Sequence, residues 1–124
     1  MIARKLRILA VDDEVLTLRA LQRILRAHDV TIAASGRQAI ELHASQGPFD
    51  VILCDVMMPD INGVEVYKSI AARSPGQEQR IVFVSGGVYG DDVIEFIDKV
   101  PNPLVSKPFD QRELLARVDE LADR

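Results

Sequence analysis

Short apolar runs alternate along the chain with longer stretches in which apolar residues recur every three to four positions. The short runs are rich in Leu, Ile and Val, and continuous apolar runs are typical of strands buried on both faces. We predict strands at 5–11, 30–34, 51–54, 80–84 and 103–106. The longer stretches have the period of an amphipathic helix. We predict helices at 14–27, 36–45, 63–73, 91–100 and 110–122, the last with Asp110 as its N-cap.

The alternation of strand and helix determines the fold class. Five strand–helix units in succession predict an α/β fold, (βα)5, with an open, doubly wound parallel sheet between two layers of helices. Five units are too few for the eight-stranded barrel that is built from the same repeat. The chain has 124 residues and a mass of 13.8 kDa. A chain of this size buries about two thirds of its surface around one core, so we expect a single domain over 1–124.

Composition and charge exclude several classes of protein. The net charge of −4 provides no electrostatic footprint for nucleic acid or for an anionic membrane. Cys54 is the only cysteine, which excludes a disulfide within the chain and a cysteine-based zinc site. No apolar run approaches the ~18 residues of a membrane span, and the start of the chain lacks the apolar region of a signal peptide. We therefore expect a cytoplasmic domain.

Polar residues of an unusual kind follow four of the predicted strands. Asp12 and Asp13 come directly after the first strand. Asp55 follows the third strand, Ser85 the fourth and Lys107 the fifth. Because parallel strands end at one edge of an open sheet, where ligands bind, we expect these residues to share one cleft. Each of them alone is equally explained by a turn or a helix cap, so the functional interpretation depends on the whole set.

The chemistry of this set points to phosphoryl transfer. Three carboxylates in one cleft repel each other, and a divalent cation relieves the repulsion. Oxygen ligands with few carboxylates are typical of Mg²⁺, which completes its shell with water and phosphate oxygens. Ser85 adds a hydroxyl, and Lys107 adds a positive charge suited to a phosphoryl oxygen. Catalysis at such a site is mainly positioning and charge neutralisation, so no separate general base is required.

Four short motifs contain these residues, and together they identify a family. The motifs are Val11-Asp12-Asp13-Glu14, Asp55-Val56-Met57-Met58-Pro59-Asp60 with Gly63, Val84-Ser85-Gly86-Gly87, and Lys107-Pro108-Phe109. Each is weak alone, but in combination they are specific, and the whole chain resembles the receiver domain of bacterial two-component response regulators. The resemblance implies a flavodoxin-like sheet with strand order 2-1-3-4-5 and a cis Lys107–Pro108 bond.

The resemblance also implies roles for the acidic residues. Asp55 would accept a phosphoryl group from a phosphohistidine of a sensor histidine kinase or a histidine phosphotransfer protein. Asp13 and Asp55 would bind Mg²⁺ directly, whereas Asp12 would act through water. Met57 would supply a backbone carbonyl as a further ligand.

The remaining site residues would act on the phosphoryl group, and the phosphorylated domain would act on a partner. Ser85 and Lys107 would bind phosphoryl oxygens. Phosphorylation would change the binding of a downstream protein partner, and the domain would be a monomer or a weak dimer. Apart from phosphorylating itself and slowly losing the phosphoryl group, the protein would not be an enzyme with turnover.

Two positions depart from the usual pattern of the family. Leu104 stands three residues before Lys107, where the family often has Tyr or Phe, so aromatic switching is not expected here. Gly86 follows Ser85, where the family often has Ala, and leaves more room and freedom. The segment 102–109 is similar to receivers joined to hybrid sensor kinases, which often relay phosphate onward.

Two other functions are compatible with parts of this pattern. One is a Mg²⁺-dependent phosphohydrolase that forms an aspartyl phosphate. Such enzymes generally have a second acid two residues after the nucleophile, where this chain has Met57, and they carry a cap domain. The other is an interaction module that never uses its phosphate site, against which the complete set of polar residues argues.

Overall fold

The computed structural model describes residues 4–88 and 90–124, and within them five strands alternate with five helices. The strands are β1 Arg7–Val11, β2 Asp29–Ala33, β3 Val51–Asp55, β4 Ile81–Ser85 and β5 Leu104–Ser106. The helices are α1 Val15–Ile24, α2 Gly36–Gln46, α3 Gly63–Arg73, α4 Asp91–Lys99 and α5 Gln111–Ala122. The prediction that the chain begins without a signal peptide rests partly on residues 1–3, which lie outside the described residues. In the described part, no helix combines the length and apolar character needed to cross a membrane.

The strands form one parallel sheet in the order β2-β1-β3-β4-β5. This order confirms the α/β class and the doubly wound topology. The chain runs outward from β1 in one direction to β2 and in the other to β3, so the order reverses between β1 and β3. Ligands of open parallel sheets bind beyond the carboxyl ends of the strands at such a reversal.

Helices cover both faces of the sheet and bury its central strands completely. All residues of β3 and β4 are buried. One face packs on α1 and α5, where Leu21 and Leu114 are inaccessible to solvent. The other face packs on α2, α3 and α4 around Phe83 and Ile70. The strand ends that carry the polar residues therefore project from a closely packed frame.

The first helix ends earlier than its apolar pattern predicts. α1 stops at Ile24, although Leu25 continues the pattern and is fully buried. The backbone turns at Leu25, and the Nδ1 atom of His28 accepts a hydrogen bond of 3.1 Å from the amide of Leu6. Burial of Leu25 is thus compatible with a turn, which the spacing of apolar residues alone does not distinguish from a helix.

A short 3₁₀ helix over Gln77–Arg80 precedes β4, where the sequence pattern predicts no element. It is fixed by contacts distant in sequence. The side-chain oxygen of Gln77 accepts hydrogen bonds from the amide of Phe49 at 2.9 Å and from Nε2 of the buried His43 at 2.8 Å. The predicted N-cap of α5 is confirmed, since Asp110 accepts from the amides of Arg112 and Glu113.

Candidate functional site

The polar residues singled out in the sequence meet at the carboxyl edge of the sheet. Asp12 and Asp13 directly follow β1, and Asp55 and Ser85 are the last residues of β3 and β4. Lys107 directly follows β5. They surround a cleft of about 370 Å³, which is lined by Asp13, Glu14, Asp55, Met57, Gly86, Gly87 and Lys107. Ser85 and Lys107 also line an adjoining pocket of about 230 Å³, which Leu104 borders.

The three aspartates are arranged as a set of oxygen ligands. One carboxylate oxygen from each of Asp12, Asp13 and Asp55 lies within 4.8 Å of the others. Asp12 and Asp55 are buried, whereas Asp13 is exposed at the edge of the cleft. Hard oxygen donors in an open cleft match the preference of Mg²⁺, which keeps several waters and takes only a few protein ligands.

Lys107 connects the acidic residues by charge. Its Nζ atom donates a hydrogen bond of 2.7 Å to Oδ2 of Asp12 and lies 3.5 Å from Oδ2 of Asp55 and 3.5 Å from Oε1 of Glu14. Burial alone would lower the pKa of the ammonium group. The hydrogen bond to Asp12 and the charges of Asp55, Asp12 and Glu14 outweigh burial and raise this pKa above its ordinary value. Lys107 is therefore a stable cation at neutral pH.

The environment of Asp55 disfavours its charge. Burial and, next, the nearby charge of Asp12 raise the pKa of the Asp55 carboxyl to about 6, although Lys107 opposes the shift. Repulsion among the carboxylates was expected from the sequence, but burial is the larger cause. A bound divalent cation would favour the ionised form and return this carboxyl toward its usual range.

Close backbone packing fixes the position of Asp55. The amide of Gly63 donates a hydrogen bond of 2.8 Å to the carbonyl of Val56. A Cβ atom at Gly63 would lie only 2.7 Å from the carbonyl oxygen of Asp55, so no larger residue fits without moving this segment. Asn62 and Glu65 form a reciprocal capping box that starts α3 at this point. The glycine of the sequence motif is thus explained by the approach of α3 to the end of β3.

The hydroxyl of Ser85 bonds to the loop that follows it. Its Oγ atom donates to the carbonyl of Gly87 at 2.6 Å and accepts from the amide of Gly87 at 3.0 Å. The carbonyl of Ser85 also accepts a hydrogen bond of 2.7 Å from the amide of Lys107. Ser85 therefore joins β5 to the β4–α4 loop at the edge of the cleft.

Two features of the site went beyond the sequence prediction. Glu14 was part of a motif but had no role, and it lines the cleft beside Lys107. Its position directly after two aspartates was the available signal. The Lys107–Pro108 bond is cis, as the resemblance implied, and a second cis bond, Gly47–Pro48, was not predicted.

Comparison with known proteins gives a consistent result. A family model described as the response regulator receiver domain matches residues 8–119. The response regulator MprA of Mycolicibacterium vanbaalenii is 35% identical over 120 residues, which cover 95% of this chain and 51% of that protein. The chain therefore spans about half the length of the curated relatives it matches.

Solved structures share the fold over nearly the whole chain. A putative response regulator from Chloroflexus aurantiacus is 27% identical, with a TM-score of 0.80 over 98% of this chain and 100% of that chain. The receiver domain of a sensor histidine kinase from Pseudomonas aeruginosa is 23% identical, with a TM-score of 0.83 over the same shares of the two chains. That second structure has a magnesium ion coordinated in its active site cleft.

Proposed function

The chain belongs to the response regulator receiver domain family, and from this premise we propose that Asp55 accepts a phosphoryl group from a phosphohistidine of a partner protein. The observation that carries the proposal is the position of Asp55. It is the buried carboxylate at the centre of the cleft, next to Asp12, Asp13 and Lys107. A sensor histidine kinase or a histidine phosphotransfer protein is the donor.

The transfer forms one bond and breaks one. A carboxylate oxygen of Asp55 attacks phosphorus, the phosphorus–nitrogen bond of the donor breaks, and its electron pair stays on the imidazole nitrogen, which takes a proton from water. With a pKa of about 6, Asp55 is mostly ionised at neutral pH and can act as the nucleophile. Lys107 stabilises the charge on the transferring phosphoryl group, and its Nζ is already 3.5 Å from the acceptor carboxylate.

The donor set of the cleft supports Mg²⁺ as the cofactor. When bound, Mg²⁺ neutralises the carboxylates and coordinates phosphoryl oxygens. Asp13 and Asp55 are the proposed direct ligands, and the carbonyl of Met57 is the proposed backbone ligand. Asp12 is assigned to a water-mediated contact because both its oxygens are engaged, one by Lys107 at 2.7 Å and one by the amide of Glu14 at 2.8 Å.

Ser85 is the proposed second contact to the phosphoryl oxygens. To donate its hydroxyl proton to a phosphoryl oxygen, Ser85 must give up the bond to the carbonyl of Gly87. Phosphorylation therefore changes the bonding of the β4–α4 loop as well as the charge of the cleft. A ligand shifts a conformation only through contacts that differ between two states, and this exchange supplies one. A downstream protein partner that contacts this edge of the domain would respond to the change.

Met57 separates this proposal from the phosphohydrolase alternative. It lines the cleft two residues after Asp55 and offers no acid there. The proposed chemistry is therefore self-phosphorylation followed by slow loss of the phosphoryl group, without turnover of a free substrate.

The proposal is tested by incubating the protein with acetyl phosphate and Mg²⁺ and measuring its intact mass. We expect the wild type to gain one phosphoryl group and Asp55→Asn to gain none. The Asp60→Asn variant changes an exposed aspartate outside the cleft lining and should be labelled like the wild type. Equal labelling of Asp55→Asn and wild type would refute the assignment.

A further inference from the structure

Glu14 places a negative charge at the mouth of the cleft that the phosphoryl-transfer site does not need. Its side chain is 66% exposed, and it lines the cleft together with Asp13 and Asp55. Its Oε1 atom lies 3.5 Å from Nζ of Lys107, a distance too long for a strong hydrogen bond. Within residues 4–88 and 90–124, Lys107 is the cation found within ion-pair distance of Glu14.

Lys107 does not compensate Glu14, because its charge is already used by Asp12. The hydrogen bond between Nζ and Asp12 is 2.7 Å long, and Asp12 is 1% exposed. A divalent cation would balance two of the three aspartate charges, and Lys107 balances the third. Glu14 therefore makes the loaded site net negative at the side from which a phosphodonor enters.

Resting on the proposed function, we propose that Glu14 determines which phosphodonors this site accepts, by repelling free dianions. The exposed carboxylate opposes the approach of a second anion to Asp55. A donor with a positive charge next to its phosphoryl group meets less repulsion. Glu14 makes no bond in the transfer itself, so it is a specificity-determining residue and not a catalytic one.

The test compares two small donors on the wild type and on Glu14→Gln. Acetyl phosphate is a dianion at neutral pH, whereas phosphoramidate has an ammonium group on the phosphorus and one net negative charge. At saturating Mg²⁺ and low ionic strength, Glu14→Gln should raise the second-order rate constant about fourfold for acetyl phosphate and at most about twofold for phosphoramidate. Because the chain has no tryptophan, the reaction is followed by intact mass.

Two control variants separate charge from local contact and from net charge. Glu14→Asp keeps the charge but shortens the side chain away from Lys107, so its rate constants should stay near those of the wild type. Glu41→Gln removes one exposed negative charge on α2, outside the residues that line the cleft, and should also behave as the wild type. The effect of Glu14→Gln should shrink toward unity at about 0.5 M salt, because exposed charges are screened.

The outcomes distinguish this inference from the proposed function. If the wild type is phosphorylated on Asp55 but Glu14→Gln changes both donors equally or neither, the role of Glu14 is refuted and the acceptor assignment stands. If Glu14→Asp is as fast as Glu14→Gln, release of Lys107 is responsible and the charge argument is wrong. If neither donor labels the wild type while Asp55 is intact, the proposed function fails first.

Discussion

The ammonium group of Lys107 binds Asp12 more closely than it approaches Asp55. Nζ lies 2.7 Å from Oδ2 of Asp12 and 3.5 Å from Oδ2 of Asp55, across a sequence separation of 95 residues from Asp12. The ion pair with Asp12 is mostly buried, since the side chains are 17% and 1% exposed. Lys107 is therefore part of the stability of the domain as well as a candidate ligand of the phosphoryl group.

Removing Lys107 should destabilise the protein, and Mg²⁺ should reduce the loss. Lys107→Ala leaves the buried charge of Asp12 without its partner, so we expect the free energy of unfolding in urea to fall by about 2 kcal/mol without Mg²⁺. With saturating Mg²⁺ the loss should be smaller, because a cation bound only by the folded state neutralises the same carboxylates.

Lys99 provides a matched control for this prediction. Its ion pair with Glu95 is as short, at 2.6 Å, but the two side chains are 70% and 66% exposed. Lys99→Ala should therefore change the free energy of unfolding by no more than about 0.5 kcal/mol, with or without Mg²⁺. Similar losses for the two lysine variants would contradict the structural role given to Lys107.

Burial of Asp55 predicts a pH-dependent stability in the absence of Mg²⁺. The pKa of this carboxyl rises from 3.8 to about 6, so between these values the folded protein binds a proton that the unfolded chain does not. The free energy of unfolding therefore falls as pH rises through this window. From about pH 5 to about pH 8, the wild type should lose about 1.4 kcal/mol relative to Asp55→Asn.

Urea unfolding of both proteins at several pH values measures this difference. The comparison with Asp55→Asn removes the contribution of every other titrating group that the two proteins share. A gap that stays constant across the window would show that the environment of Asp55 does not disfavour its charge.

The two aspartates after β1 should differ in their effect on Mg²⁺ binding. Asp13 is exposed at the cleft, whereas the oxygens of Asp12 are engaged by Lys107 and by the amide of Glu14. Asp13→Asn removes a proposed direct ligand and should weaken Mg²⁺ binding more than Asp12→Asn does. Calorimetric titration of the three proteins measures the order, and the reverse order would mean that the direct and water-mediated roles are exchanged.

The sequence was sufficient for the fold and for the composition of the site because both follow from local patterns. Apolar runs located the five strands, and the polar residue after each central strand had to lie at the shared edge of a parallel sheet. The 3₁₀ helix at Gln77–Arg80 was missed because it depends on the contacts of Gln77 with His43 and Phe49, which are far away in sequence.

Side-chain orientation was likewise beyond the sequence pattern. The pairing of Lys107 with Asp12 and the turn of Ser85 toward Gly87 depend on rotamers and on distances of a few ångströms. The direction of the Glu14 side chain follows from the start of α1 one residue later. These features decide how the site works, and a motif specifies only which residues are near each other.

The aspartyl phosphate of this protein should be long-lived. Its hydrolysis requires a water placed in line with phosphorus, and polar side chains beside the acceptor can orient that water. Met57 and Gly87 line the cleft, and neither side chain offers a strong hydrogen bond. The backbone amide of Gly87 is already bonded to Ser85. A slow decay would suit a domain that passes the phosphoryl group onward.

Introducing a polar group at Met57 tests this explanation. Met57→Asn should speed loss of the phosphoryl group about fivefold in Mg²⁺ without donor, the effect of one hydrogen bond of about 1 kcal/mol on a rate. Met57→Leu keeps an apolar side chain of similar size and should decay as slowly as the wild type. Decay is followed by intact mass after the donor is removed. If Met57→Asn decays no faster than Met57→Leu, or if the wild type already decays within seconds, then the missing water-orienting group does not control the lifetime, and the mobility of the glycine-containing loop becomes the better explanation for water entry.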